Sequence, residues 1–154
     1  MSVVFIGRFQ PLHSGHLSII EQYPDLVIGV GSSQYSRTAD NPLNLQERIW
    51  CLQQVTAAPI VAVPDIHDDA HWVEHLLNIV YTVTPTVDGV ISGNAHVQRL
   101  CQAAGVTVIP IVPTLPIDAT ALRQLIRQHN PIWKQYVPTV IHQSIEPIIA
   151  QTPA

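Results

Sequence analysis

The sequence predicts a doubly wound α/β fold, with five parallel strands, helices on both faces of the sheet and a helical C-terminus. Three observations predict it. Short β-rich apolar runs alternate with stretches of helical spacing. The 13 prolines fall mostly at the boundaries between these runs, where they punctuate the chain without breaking an element. The 154 residues show no internal repeat, low-complexity tract or linker, so one domain spanning 1–154 is expected.

Taken in order, residues 3–6 read as a first buried strand, followed by a loop to Pro11 and a helix from about Ser14. Residues 26–30 read as a second strand, ending at Gly31. Residues 45–55 are helical in spacing, with Leu45, Ile49 and Leu52 on one face. A third strand, 60–63, is bounded by Pro59 and Pro64, and Val73, Leu76, Leu77 and Val80 have helical spacing within 72–81. Strands at 87–91 and 106–109, with a helix over 96–103 between them, complete the five. From Thr120 the pattern is helical, divided by Pro131 and Pro138. Ligands of such sheets bind at the carboxyl ends of the strands, near the switch in strand order, so the loops after Ile6, Val30, Val63, Ile91 and Ile109 are the places to search.

Composition excludes several classes. Hydrophobic residues make up 47% and charged residues 12%, which is incompatible with a disordered or solvated tail. No apolar run reaches the roughly 20 residues a membrane span needs. The first residues lack a basic region and Arg8 follows soon after, so no secretory signal is expected. Cys51 and Cys101 make neither a disulfide framework nor a metal quartet; they read as small buried hydrophobes in a reducing compartment, and a cytoplasmic location is expected. A net charge of -4 with only seven Lys and Arg argues against a nucleic-acid partner.

The loop after the first strand concentrates the chemistry. Gly7-Arg8-Phe9-Gln10-Pro11-Leu12-His13-Ser14-Gly15-His16 leaves a buried strand and enters a helix, so free backbone N–H groups and the positive helix end face one cavity. Gly7 permits a tight exit and Gly15 a close approach to the backbone. His13 and His16 are one turn apart and can point toward the same anion, and Arg8 adds a fixed charge. The alternative is two ordinary histidines near a helix start, but two histidines, two glycines and an arginine share this one loop. It is not a Walker loop, and no G-x-G-x-x-G occurs here.

These residues resemble the G-x-F-x-P-x-H-x-G-H signature of the nucleotidylyltransferase superfamily, in a form similar to the archaeal-type nicotinamide-nucleotide adenylyltransferases. Further segments resemble that family in order and spacing: Gly31-Ser32-Ser33-Gln34, Asn41-Pro42 followed by Glu47-Arg48, Asp65 with Trp72-Val73, and Ser92-Gly93-Asn94. The resemblance covers the chain from about Val3 to Ile145. It implies a Rossmann-like nucleotidylyltransferase fold and an enzyme that transfers AMP from ATP to nicotinamide mononucleotide, releasing pyrophosphate. It also implies a homo-oligomer, with the hexamer as the expected form.

The roles follow from that resemblance. The attacking group is a phosphate with a second pKa of about 6, already ionised at neutral pH, so no side-chain base is required. Catalysis then consists of holding two polyanions in line and stabilising charge. His13 and His16 would contact the ATP phosphates, and Arg8 and Arg123 would grip the triphosphate. Gly7, Phe9, Gly15, Gly93 and Thr120 complete the expected ATP site, with Asn94 reading the adenine edge or capping a helix. Gly31, Ser32, Asn41, Arg48, Asp65 and Trp72 are expected to bind the mononucleotide, Trp72 stacking on the cationic nicotinamide ring unless it is a core aromatic. A Mg2+ ion would travel on the phosphates, held by substrate and water, with no ligand from protein side chains.

The family pattern S-G-T-x-[IV]-R reads Asp118-Ala119-Thr120-Ala121-Leu122-Arg123 here. Thr120 and Arg123 fit. Aspartate in place of serine would cap a helix but compete with an incoming phosphate, so weaker ATP binding with activity retained is expected. Three rival readings have residues behind them. The acceptor could be pantetheine phosphate, FMN or a sugar-alcohol phosphate. His71-Trp72-Val73-Glu74-His75, with His67, Asp68 and Asp69 upstream, matches the H-x-x-E-H spacing of a zinc hydrolase. Asp118 alone suggests a non-catalytic nucleotide sensor. Class I aminoacyl-tRNA synthetases share a similar histidine loop, but this chain is too short and too acidic to hold tRNA.

Overall fold

Four consecutive apolar residues, Val3, Val4, Phe5 and Ile6, are all 6% exposed or less, as a central strand of a parallel sheet requires. In the computed structural model, which describes residues 2–113 and 115–154, they form β1 (Val3–Gly7). β1 pairs in parallel with β2 (Leu26–Gly31) on one side and β4 (Gly89–Ser92) on the other. β3 (Ile60–Val63) joins β2, and β5 (Val108–Ile109) joins β4, giving the order β3-β2-β1-β4-β5. This is the Rossmann-like α/β fold that the sequence predicts, with its switch in strand order between β1 and β4. Register aligns Gly7 with Val30, Ile6 with Ser92 and Gly31 with Val63, so these carboxyl ends lie along one sheet edge.

Among the described residues there are six α-helices, the first five each following a strand and the sixth closing the chain: α1 (Ser14–Gln22), α2 (Leu45–Gln53), α3 (Asp69–Val80), α4 (Ala95–Ala103), α5 (Ala119–Arg127) and α6 (His142–Gln151). Two single turns, Pro131–Gln135 and Thr139–Ile141, precede α6, where Pro131 and Pro138 were expected to divide the chain. Among the described residues no helix is long and apolar enough to cross a membrane.

The boundaries shift for local reasons. α3 begins at Asp69, ahead of Trp72, because an acidic residue in the first turn offsets the positive helix end. β5 loses its first half because the Val106 N–H bonds the Cys101 carbonyl and closes α4. α2 ends at Gln53, and the Gln54 N–H then satisfies the Cys51 and Leu52 carbonyls.

The chain forms two units. Unit 1 comprises Met1–Gly7, Tyr23–Ser33 and Ala58–Val112, which hold the sheet, α3 and α4; unit 2 comprises Arg8–Gln22, Gln34–Ala57 and Pro113–Ala154. The core of unit 1 brings Val4, Ile6, Val27, Val61 and Val90 from the strands onto Val73, Leu76, Val80 and Cys101 from α3 and α4. In unit 2, α5 packs on α6, and Leu122, Ile126, Trp133, Ile145 and Ile149 are buried.

α5 ends with its His129 N–H on the Ile126 carbonyl and its Asn130 N–H on the Leu125 carbonyl, the two bonds of a Schellman motif. That motif puts His129 at φ 55°, a conformation glycine adopts without penalty. Relief of left-handed strain outweighs the extra entropy glycine gives the unfolded chain, so His129→Gly should stabilise the protein by roughly 0.5–1 kcal/mol in urea unfolding.

Candidate active site

β1 delivers the chain to Arg8, where unit 2 begins. The next residues do not continue as strand. Phe9 is 2% exposed at φ 54°, a left-handed conformation that a large side chain holds only when its surroundings demand it. The Gln10–Pro11 bond is cis. Two buried arginines frame this turn from inside unit 2. Arg48 on α2 donates to the carbonyls of Arg8 at 3.2 Å, Tyr35 at 3.3 Å and Asn44 at 3.3 Å. Arg123 on α5 donates to the Gln10 carbonyl at 3.0 Å, to Thr120 Oγ1 at 3.2 Å and to Asp40 Oδ1 at 3.4 Å. Burial, with a contribution from the Arg8 charge, moves the Arg48 pKa down to about 10 and lowers that of Arg123. Both remain cations at neutral pH.

The histidine pair sits where the loop enters α1. The His13 and His16 rings stack with centroids 3.7 Å apart, and Phe9 lies 4.7 Å from His16. The Gly15 N–H donates to His13 Nδ1 at 3.1 Å, and the His13 N–H donates to His16 Nδ1 at 3.1 Å. A ring nitrogen that accepts carries no proton, so each neutral ring holds its proton on Nε2. Burial lowers the His13 pKa to about 4 despite the opposing charge of Asp118. It lowers His16 well below its ordinary value, and His13 adds to that shift. Gly15 is required here because a Cβ would come within 2.9 Å of the His13 ring.

Asp118 caps α5, its Oδ1 accepting from the Ala121 N–H at 2.8 Å, the use anticipated for an aspartate at this position. Asn41 Oδ1 is buried and has no partner among the described residues, leaving an acceptor in the segment expected to meet the mononucleotide. Arg123 Nε is likewise buried without one.

In unit 1, the loops following β2 and β3 meet: Ser32 Oγ donates to Asp65 Oδ2 at 2.8 Å, bringing two of the expected mononucleotide residues together beside Gly31. Ser32, at φ 48°, is the second site residue held in the left-handed region. Trp72 is half-buried on the unit 1 core, so part of its indole serves packing. Asn94 Oδ1 accepts from the N–H groups of His96 and Val97 and caps α4, which occupies the oxygen expected to read adenine. Gly93, just beyond β4, is exposed. The H-x-x-E-H residues do not converge. His71 pairs with Asp68 at 2.7 Å, while His75 Nε2 lies 3.0 Å from the Pro64 carbonyl. Among the described residues no three or more His, Cys, Asp or Glu side chains are grouped to hold a metal ion.

The sequence reading passed over Gln10, whose side chain bonds Leu43, and the Arg37–Glu47 pair at 2.7 Å that braces the start of α2. The second was detectable: Asn44-x-x-Glu47 is a capping box, and both of its bonds form at 2.8 Å.

Together, a Rossmann-like sheet and a loop of fixed histidines leading from its central strand define a nucleotide-binding protein that handles phosphates. The chain belongs to the cytidylyltransferase-like family, which matches residues 4–131. Among similar proteins, the nicotinamide-nucleotide adenylyltransferase of Ignicoccus hospitalis is 33% identical over 160 residues, covering 95% of this chain and 91% of the relative. That of Methanoculleus marisnigri is 36% identical over 155 residues, covering 94% and 89%. The fold is similar to that of a bifunctional NMN adenylyltransferase/ADP ribose pyrophosphatase from Francisella tularensis, solved in complex with AMP and a manganese ion. The TM-score is 0.70 at 18% identity, and the match covers 97% of this chain but 51% of that one.

Two outcomes follow from the histidine geometry. Between its folded pKa of about 4 and its unfolded value of 6.5, the unfolded chain binds a proton on His13 that the folded chain refuses. Stability should therefore fall as the pH drops through that window, and His13→Gln should flatten the decline in urea midpoints, leaving the share due to His16. Gly15→Ala should displace the His13 ring, keep the far-UV spectrum and cut turnover at least tenfold, since small misplacements of binding groups are costly.

Proposed function

We propose that the protein is a nicotinamide-nucleotide adenylyltransferase, transferring AMP from ATP to nicotinamide mononucleotide and releasing pyrophosphate. The observation that carries this reading is the histidine pair, two stacked neutral imidazoles with Nδ1 fixed by backbone N–H groups and Nε2 protonated. Such rings donate to phosphate oxygens without giving up a proton, and their donors are oriented before the ligand arrives. The relatives at 33% and 36% identity support the choice of acceptor.

In this reading a 5′-phosphate oxygen of the mononucleotide forms the new bond to the α-phosphorus, and the bond to the bridging oxygen breaks to release pyrophosphate. The nucleophile is already ionised, so no side chain need remove a proton. His13 and His16 donate from Nε2 to the phosphates and stabilise the charge that shifts onto them. Arg8, exposed at the start of the loop, adds a guanidinium. Arg123 contributes its charge from a buried position and holds the loop by the Gln10 carbonyl, and Thr120 Oγ1 orients its fork. For the mononucleotide, the Ser32–Asp65 pair of unit 1 presents acceptor oxygen suited to a carboxamide N–H.

A divalent cation, taken as Mg2+, belongs to the same reading. The donor set fits an ion carried by the substrate: neutral imidazoles and guanidinium groups attract phosphate, and Asp118 supplies the carboxylate charge that acts on His13 and Arg123. When bound with the substrate, the ion would neutralise phosphate charge. A hexameric homo-oligomer in the cytoplasm completes the reading, and sedimentation of the purified chain checks the assembly.

The deciding assay follows NAD and pyrophosphate from ATP and Mg2+, with nicotinamide mononucleotide compared against pantetheine phosphate, FMN and a sugar-alcohol phosphate. NAD should form selectively. His16→Ala should lower kcat by about 10²–10³-fold, the usual effect of removing one transition-state donor. Asp118→Ser should lower the KM for ATP severalfold by removing a competing carboxylate. Binding of ATP without transfer to any acceptor would overturn the substrate assignment.

A further inference from the structure

Gln10 is 1% exposed, and its side chain forms a closed pair with one backbone unit. Nε2 donates to the Leu43 carbonyl at 2.8 Å, and Oε1 accepts from the Leu43 N–H at 2.9 Å. The orientation of the amide is fixed by its partners, because a backbone N–H can only donate and a carbonyl can only accept. The Gln10 carbonyl meanwhile accepts from Arg123 at 3.0 Å. One residue thus ties the histidine loop to α5 through its backbone and to residues 37–44 through its side chain.

That second segment is itself braced. Leu43 is 1% exposed, and Asn44 and Glu47 close the capping box of α2. Arg37 holds Glu47 through two bonds of 2.7 and 2.9 Å and also donates to the Pro42 carbonyl at 2.8 Å. The segment carries Asn41, assigned above to the acceptor nucleotide. The Gln10 amide is thus the joint between the histidine loop and the residues beside Asn41.

We infer that Gln10 is a positioning residue for adenylyl transfer, setting the register between the phosphate-binding loop and the segment that receives the acceptor. The inference rests on the reading above for the identity of the two ligands. It also explains why the position needs an amide. Glutamate at neutral pH has no donor and would face the Leu43 carbonyl with a negative oxygen. Methionine fills the volume but pairs with neither group. In-line transfer between two separately held phosphates depends on their relative placement more than on the affinity for either.

The test uses the full chain carrying Gln10→Glu or Gln10→Met, two near-isosteric variants chosen so that at least one folds, with melting curves to establish this. kcat should fall about 10–100-fold while the KM values for ATP and nicotinamide mononucleotide each change less than about threefold. In parallel, amide exchange follows Leu43 and residues 37–44 with and without ATP. In the wild type, ATP should slow exchange across that segment; in both variants the ATP effect should vanish, and in Gln10→Met, which keeps no acceptor for it, the Leu43 N–H should also lose protection. Unchanged kcat, or a raised KM with kcat intact, overturns the inference, since Gln10 is then structural or a direct ligand contact. An ATP effect that survives in the variants overturns it as well. A wild type that makes no NAD from any acceptor refutes the function reading instead, and the exchange arm alone then decides for Gln10.

Discussion

A guanidinium removed from water needs acceptors for its donors, and in unit 2 Arg48 finds them in three main-chain carbonyls, Arg123 in the Gln10 carbonyl, Thr120 and Asp40. The Arg8 and Gln10 carbonyls they hold belong to the turn on which Phe9 adopts its left-handed conformation. The loop whose carbonyls they hold carries exposed Arg8 and leads into the Gly15 N–H donation to His13 and the ring stack. Burial lowers the pKa of both, opposed by the charge of Glu47 at Arg48 and chiefly of Asp40 at Arg123.

This division of labour separates the arginines. Arg8 faces solvent, whereas Arg48 and Arg123 are buried and hold main-chain carbonyls. The family resemblance gives all three as binding residues. Arg48 and Arg123 are buried, so in the proposed reading they would serve a ligand through the loop they anchor.

The fold was largely legible because parallel strands are read from continuous apolar runs, and those at 3–6, 26–30 and 60–63 needed no tertiary information. The ends of β4 and β5 were less so: Val106 is as apolar as Val108 but bonds back to Cys101, a contact that spacing does not encode. At the site, the histidine loop was apparent from its glycines and its spacing. The tautomers were not, since they depend on which backbone N–H reaches each Nδ1. Nor was the pairing of Gln10 with Leu43, 33 residues away in sequence, because a glutamine between Phe9 and Pro11 carries no local periodicity. The Asp118 cap, by contrast, was predictable from residue type alone.

The two units are threaded through the chain in alternation, which bears on how the molecule can be made. Unit 1 lacks its last segment until Val112 has been synthesised, and unit 2 until the final helix emerges. Neither half of the gene encodes a unit that closes its own core, so a nascent chain halted midway leaves β1 without its later partner β4. A split of the polypeptide at any one point would likewise divide at least one unit, so expression as two autonomous halves is not open to this architecture.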